Sequence, residues 1–508
     1  MILFAILMQV QVDWRVWLYG MRPGKRLGQL RAESFIMTPE GFFLGVGHSR
    51  PYPDIHAVAW ALTPQGYTLW QFHQDTLSYD FSALLGCCAS PQGHLYAGGY
   101  AVRPGDSSST LFVMRLNPLN GFPIWSYTLP GTAASGSGLL APDPNGNLIA
   151  CGDLWTPSTN IDIHAISLDT AGNPRWYFRY DGPWHEWDQA HDMVLDPNSG
   201  SIYLAGMRTD STISCTETKP MVIKLDTAGN IVWISTMDFL KNREADAAVL
   251  SGKWLYLAGH AEGTYFRYAF AARLDTATGS VDWYKEYLSP SVQSVNNLIM
   301  DEGGNLYIAG GGNLGAWEVM CVDSTGTEKW RFDAAPEEYN NFGIISISFD
   351  SLGNLFAGGS GRDEEYPVVY KLDTLGNLIW AWKDSLAGYD GVTATGVVPD
   401  GQGGVYVQEW FTAQVDTAFP QYTNITSVVH LTEGQAIAEN PGAGQGIRVI
   451  MAPSGLIISG HDGEAQIYDP AGRLVLSKEI KGKTLIGPLS PGVYFVVAGR
   501  ERARVAVR

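Results

Sequence analysis

The chain holds 508 residues, with 33 Lys and Arg against 51 Asp and Glu, a formal net charge of -18. Such an excess of acid keeps a large protein soluble and argues against a nucleic-acid binder, which needs a basic face. Only 17% of the residues are charged while 58 are Gly and 12% are aromatic, the balance of a turn-rich β protein with little helix; no apolar run is long enough for a transmembrane helix.

The first residues, MILFAILMQVQV, make an apolar run of the length of a signal-peptide core. No basic segment precedes it and no small-residue cleavage site follows. Residues 1–11 are therefore read as the remainder of a signal peptide whose start lies upstream, the alternative being that Ile2–Val12 leads into a strand. VDWRVWLYG, Val12–Gly20, reads as a Trp-bearing strand with no hairpin before it.

Seven related stretches follow: ALTPQGYTLW, RLNPLNGFPIW, SLDTAGNPRW, KLDTAGNIVW, RLDTATGSVDW, VDSTGTEKW and KLDTLGNLIW, ending at Trp70, Trp125, Trp176, Trp233, Trp283, Trp330 and Trp380. In each, an apolar run meets Asp, Asn or Thr and then Gly, the chemistry of a hairpin turn. A second hairpin signal precedes most copies, as in DPNGNLIACG at Asp143 and DEGGNLYIAGG at Asp301. One repeat is then four strands over roughly 50 residues, the period of a propeller blade. A lone four-stranded sheet exposes two faces and two edges, so such repeats must stack. After Trp380, residues Val392–Gly434 supply three strands and no Trp strand, and Val12–Gly20 supplies the missing fourth. The expectation is an all-β chain with an eight-bladed β-propeller over residues 12–434, or seven blades if the termini do not join.

Polar clusters fall between the Trp strand of one repeat and the first strand of the next, where propellers commonly bind ligands. The richest is WHEWDQAHD, Trp184–Asp192. His185, Glu186, Asp188, His191 and Asp192 are possible metal ligands without a zinc spacing, and Trp184 and Trp187 suit stacking on a sugar ring or packing on a partner. The same residues also fit an internally satisfied plug between blades. Equivalent connections contribute KNREAD at Lys241–Asp246, Asn297, Tyr339, Asn340 and Asp390, so one face would be acidic, aromatic and amide-rich, fit for carbohydrate or a divalent cation. Asp143-x-Asn145-x-Asn147 hints at calcium but lacks the later bidentate acid and is equally a turn. The five cysteines, Cys87, Cys88, Cys151, Cys215 and Cys321, are an odd number and no disulfide framework.

After a Gly-rich linker at 435–446 the Trp repeats stop, and Ile447–Arg508 reads as short strands of a small Ig-like antiparallel sandwich. The turn Tyr468-Asp469-x-x-Gly472-Arg473, the step Leu489-x-x-Gly492-Val493-Tyr494 and the final Val507-Arg508 resemble the type A sorting domain of the type IX secretion system. That resemblance implies export by a signal peptide, passage across an outer membrane through the type IX machinery, and a place at the cell surface or outside the cell. The Trp repeats resemble those of quinoprotein-like propellers, with LDTATGSVDW the nearest in pattern.

Fold does not license function. A quinoprotein dehydrogenase would also need a calcium site and a catalytic Asp, which the sequence does not assemble, and Cys87-Cys88 fits packing as well as a vicinal disulfide. The expectation is therefore a surface binding or adhesion scaffold for glycans or surface proteins, without a cofactor. A propeller enzyme, either a quinone- or calcium-dependent dehydrogenase or a carbohydrate-active enzyme, is the alternative.

Overall fold

The computed structural model of the protein describes residues 10–18, 29–50, 55–74, 79–105, 109–129, 133–134, 138–156, 160–210, 217–238, 243–262, 267–288, 294–312, 319–333, 342–360, 366–384, 389–414, 422–433, 448–452, 455–459, 463–468, 474–481, 484–486, 492–498 and 501–507. Strands dominate, and no helix of the described residues is long and apolar enough to cross a membrane. They fall into a large unit within Trp14–Leu378 and Lys383–His430 and a small one that includes Leu431–Arg508.

The large unit is a succession of antiparallel four-stranded sheets of the kind found in β-propellers. Asp188–Leu195, Ile202–Thr209, Thr218–Leu225 and Ile231–Thr236 pair in chain order, and so do Arg243–Ser251, Trp254–Glu262, Arg267–Asp275 and Val281–Leu288. Strands over 29–73 and 81–128 form two more such sheets, and the sheet over 133–180 carries one short extra strand. The sheets over 294–332 and 342–383 are joined where Gly311 and Gly312 pair with Gly343 and Phe342. First strands pack in succession: Gln29–Met37 beside Phe81–Ala89, then Leu139–Pro142, Asp188–Leu195, Arg243–Ser251, Ser294–Met300, Phe342–Phe349 and Tyr389–Pro399, which returns beside Gln29–Met37.

The repeated Asp-x-x-Gly-Asn stretch makes the outer hairpins by carboxylate chemistry. Asp226 Oδ1 accepts the amides of Ala228 and Asn230, both at 2.9 Å, while its Oδ2 accepts Asn230 Nδ2 at 3.0 Å. Gly229 closes the turn at φ +79°, where a side chain is strained. These donors hold the Asp226 carboxyl below the usual carboxylate range.

The tryptophan after each turn joins neighbouring sheets. Trp233 Nε1 donates to Thr276 O of the next sheet at 3.2 Å, and its ring lies over Gly279 so closely that a Cβ there would come within 2.8 Å. The same arrangement links Trp125 to Thr170 and Gly172, Trp176 to Thr227 and Gly229, Trp283 to Ser324 and Gly326, and Trp330 to Thr374 and Gly376. Trp70 donates to Pro118 O and covers Gly121. The near-identical turns therefore serve as sockets, each filled by the ring of the preceding repeat.

A second link lies at the other edge. The first strands carry β-bulges, for example between Ala190 and Asp192, Ala245 and Ala247, Val295 and Asn297, and Ile344 and Ser346. A bulge leaves backbone groups out of the ladder, and a side chain of the adjacent sheet often meets one. Asp153 Oδ1 accepts Ala190 N at 3.0 Å, Asp192 Oδ2 accepts Ala248 N at 2.8 Å, Asp246 Oδ2 accepts Val295 N at 3.1 Å, and Asn296 Nδ2 donates to Ile344 O at 2.8 Å.

The strand Val10–Leu18 forms the outer edge of the sheet completed by Tyr422–Glu433, Val405–Gln414 and Tyr389–Pro399. Arg15 pairs with Asp384 and lies 3.7 Å from Glu409. Glu409 also accepts Ser427 Oγ at 2.8 Å, and burial, only partly opposed by Arg15 and helped by Asp384, pushes its carboxyl up to about 8. Leu18 is buried with Phe35, Phe43, Trp60, Tyr406 and Val428.

In the small unit, Arg448–Ala452, Gly455–Ser459 and Thr484–Ile486 make one sheet, and Leu474–Ile480, Gly463–Tyr468, Gly492–Ala498 and Glu501–Val507 make another. Tyr468, Gly492 and Tyr494 lie on strands, whereas Gly472, Arg473 and Arg508, with residues 1–9 and the linker, lie outside the described residues.

Candidate functional site

The segment 181–187 joins the outer strand Pro174–Tyr180 to the next first strand, Asp188–Leu195. It is pinned from several sides. Trp187 O accepts Thr209 Oγ1 at 2.6 Å, Glu186 Oε2 accepts Asn160 Nδ2 at 3.0 Å, and His185 Nδ1 lies 2.9 Å from Asp181 Oδ2. His185 and Asn160 both adopt positive φ, at 54° and 60°, a conformation non-glycine residues take at a cost that surrounding contacts must offset. The loop is thus built to one shape.

That shape turns two indoles outward. Trp184 is 43% and Trp187 39% exposed, although residues of this size are usually covered. Trp184 Nε1 points to Asp210 Oδ1 at 3.4 Å. Asp210 is held by Lys219 and Arg208, and the Lys219 hydrogen bond leads in keeping its carboxyl below the ordinary range. Exposed aromatic faces with fixed polar neighbours can stack on a sugar ring or an apolar partner surface.

Asp188 behaves differently from its neighbours in the sequence. It is only 1% exposed and accepts the Gly182 amide. Burial pushes its carboxyl up to about 7, against the lowering effect of the Gly182 and Thr209 amides. Its carboxylate lies near those of Asp162 and Asp181, but Arg179 already holds Asp162 through Nε at 2.9 Å and Nη2 at 2.6 Å. Asp188 therefore anchors the loop from within, through the Gly182 amide.

His191 stands apart from Trp184 and Trp187, in the bulge of its strand, and faces Glu244 and Asp246 of the next sheet. Asn297 follows the corresponding bulge of Ser294–Met300 and is half-buried. The backbone of Asp390 begins the strand Tyr389–Pro399, and Tyr339 and Asn340 lie outside the described residues. Glu244 and Asp246 fall in the KNREAD connection singled out in the sequence, but their meeting with His191 and the role of Asn160 could not be read there, because each meets the loop or its strand from another hairpin.

Two other candidate chemistries resolve into structure. Asp143 Oδ1 accepts the amides of Asn145 and Asn147, and Oδ2 accepts Asn147 Nδ2 at 2.8 Å, so its oxygens are used within a hairpin turn. Cys87 and Cys88 are free, and burial pushes the Cys87 thiol up to about 12, well away from a reactive thiolate.

No family model matches the chain. Over 183 residues it is 26% identical to pentonolactonase XacC of Haloferax volcanii, covering 34% of this chain and 54% of that protein. The chain thus spans about half the length of the curated relative it matches. Among solved structures it is similar to quinohemoprotein alcohol dehydrogenase from Comamonas testosteroni, with a TM-score of 0.52 and 12% identity over 88% of this chain and 79% of that one. It is also similar to PorZ of Porphyromonas gingivalis, described as a surface component of the type IX secretion system, with a TM-score of 0.41 and 14% identity over 93% of this chain and 59% of that one. At 12% identity the likeness to the quinohemoprotein is one of fold alone, that of a β-propeller.

Proposed function

We propose that the protein is a binding scaffold displayed outside the cell: an eight-bladed propeller whose last blade is completed by Val10–Leu18, presenting Trp184 and Trp187 to a glycan or a surface protein. The observation that carries this reading is the pair of exposed indoles on a loop fixed by Thr209, Asn160 and Asp181. Exposed aromatic anchors on a rigid support lose little freedom on binding, which favours recognition. The closed succession of first strands supports the blade count. The reading requires no cofactor.

The test compares a glycan array probed with the intact protein, Trp184→Ala and Trp187→Ala, alongside thermal melts. Each stacking contact contributes about 0.5 to 1.5 kcal/mol beyond area burial, so each variant should bind roughly 2- to 12-fold more weakly while melting close to the parent. A large melting loss with unaltered binding would overturn the reading.

The small C-terminal unit is assigned the role of a type IX sorting domain of Ig-like form. Its support is the run of motif residues around Tyr468, Gly492 and Tyr494 on short antiparallel strands. Removing 447–508 should leave a folded propeller in the periplasm, detected by cell fractionation; normal surface delivery without the tail would sink the assignment.

A second reading, an enzyme acting on a carbohydrate lactone, is favoured by the match to pentonolactonase XacC. Turnover of an aldonolactone by the purified protein would select it over the scaffold.

A further inference from the structure

The sheets over 188–236 and 243–288 each insert one extra residue into the first strand. Register places His191 in the first bulge, between Ala190 and Asp192, and Asp246 in the second, between Ala245 and Ala247. A bulge turns a side chain away from the regular alternation, and here the two turned residues meet. His191 Nδ1 is 3.5 Å from Asp246 Oδ1, and His191 Nε2 is 3.8 Å from Glu244 Oε2. One donor atom from each of the three lies within 4.8 Å of the others.

The two oxygens of Asp246 have different duties. Oδ2 is engaged by His260 Nδ1 at 2.7 Å and by the Val295 amide at 3.1 Å. Oδ1 is the one that faces His191. His260 stands directly opposite Glu244 in the hairpin, so the imidazole that orients Asp246 sits beside the second carboxylate. Carboxylates that ligate metals are themselves hydrogen-bonded through their outer oxygens, and His260 on Asp246 Oδ2 would give that support. Arg243, the nearest cation in sequence, turns to Glu286 and Tyr284 and leaves the cluster.

We propose that His191, Glu244 and Asp246 hold a divalent first-row transition metal, with His260 as the positioning residue behind Asp246. One imidazole nitrogen and two carboxylate oxygens suit zinc, cobalt, manganese or iron(II), whereas calcium prefers six to eight hard oxygens. One donor atom from each residue lies within 4.8 Å of the others, and ligands placed about 2.1 Å from a tetrahedral ion stand about 3.4 Å apart, so a small inward movement of the side chains would seat the ion. His191 is 23% and Glu244 27% exposed, which gives the ion a route in. Three protein ligands leave a coordination position for water or for a hydroxyl of a bound molecule. The site uses neither Trp184 nor Trp187, and it stands or falls apart from the glycan reading.

The test uses the full chain treated with a chelator and dialysed, then titrated with Co²⁺ and followed by visible absorption and thermal melts. One Co²⁺ per chain with ligand-field bands, a raised melting midpoint and competition by Zn²⁺ are expected. Glu244→Gln and His191→Gln should each weaken Co²⁺ binding at least about tenfold, and His260→Gln by about 10- to 100-fold, all three melting like the parent without metal. If any melts lower without metal, Co²⁺ affinity measured well below its midpoint decides for that variant. No Co²⁺ binding by the parent, binding of Ca²⁺ in preference to Co²⁺, or unchanged affinity in Glu244→Gln and His191→Gln would overturn the proposal.

Discussion

Deleting Val10–Leu18 should lower the stability of the large unit by on the order of 5 kcal/mol, visible as an earlier thermal midpoint and a lower denaturant midpoint. Three terms add. Leu18 loses its burial among Phe35, Phe43, Trp60, Tyr406 and Val428, about 1.5 to 3 kcal/mol. Asp384 loses Arg15, and a part-buried carboxylate deprived of its partner is costly. The Tyr422–Glu433 strand loses the neighbour on its outer side, exposing a row of backbone groups to other chains. Glu409 adds little to the loss near neutral pH, because its raised pKa leaves it mostly protonated even beside Arg15. Arg15→Ala should reproduce the Asp384 share alone. If the truncated protein melts with the intact one, the first strand does not complete the last blade.

The second large effect is expected at the sockets. Trp233→Ala should cost about 3 to 5 kcal/mol, as for removal of a large aromatic side chain from a packed site. The ring packs beside Tyr203 at 5.9 Å between centroids, donates to Thr276 O and covers Gly279. Gly279→Ala should also destabilise, since φ is +73° there and the new Cβ would meet the ring at 2.8 Å. In the Trp233→Ala background the steric part of that second cost disappears. A double-mutant cycle by chemical denaturation should therefore show coupling of about 1 kcal/mol or more between residues of different sheets. Strict additivity would show that ring and glycine do not act as pin and socket.

The sockets were legible in the sequence because turn and tryptophan stand within ten residues of each other, and local chemistry dictates both. Asp226, Gly229 and Trp233 are recognisable without knowing what they touch. What the ring touches was not legible, since Thr276 and Gly279 belong to the next repeat. The outward aim of Trp184 and Trp187 could be posed from WHEWDQAHD, but the burial of Asp188 could not, because it depends on Gly182 turning back to donate its amide. His191 was visible as a lone ligand type. Glu244 and Asp246 were legible only as part of the polar stretch KNREAD, and that they meet His191 was not, because the meeting depends on two separate bulges, and a one-residue register shift leaves no mark in the period-two pattern of a strand.

The pins and sockets also have a direction. Each of the six repeat tryptophans Trp70, Trp125, Trp176, Trp233, Trp283 and Trp330 reaches forward to the following repeat. The contact is therefore heterologous, like the joint between links of a chain, and its two halves differ. A head-to-tail joint that closes on itself consumes every half; one that fails to close leaves an unfilled head and an unused tail on the same molecule. A chain divided between two such repeats is accordingly self-complementary between molecules, and its expected failure is head-to-tail polymerisation rather than shapeless precipitation.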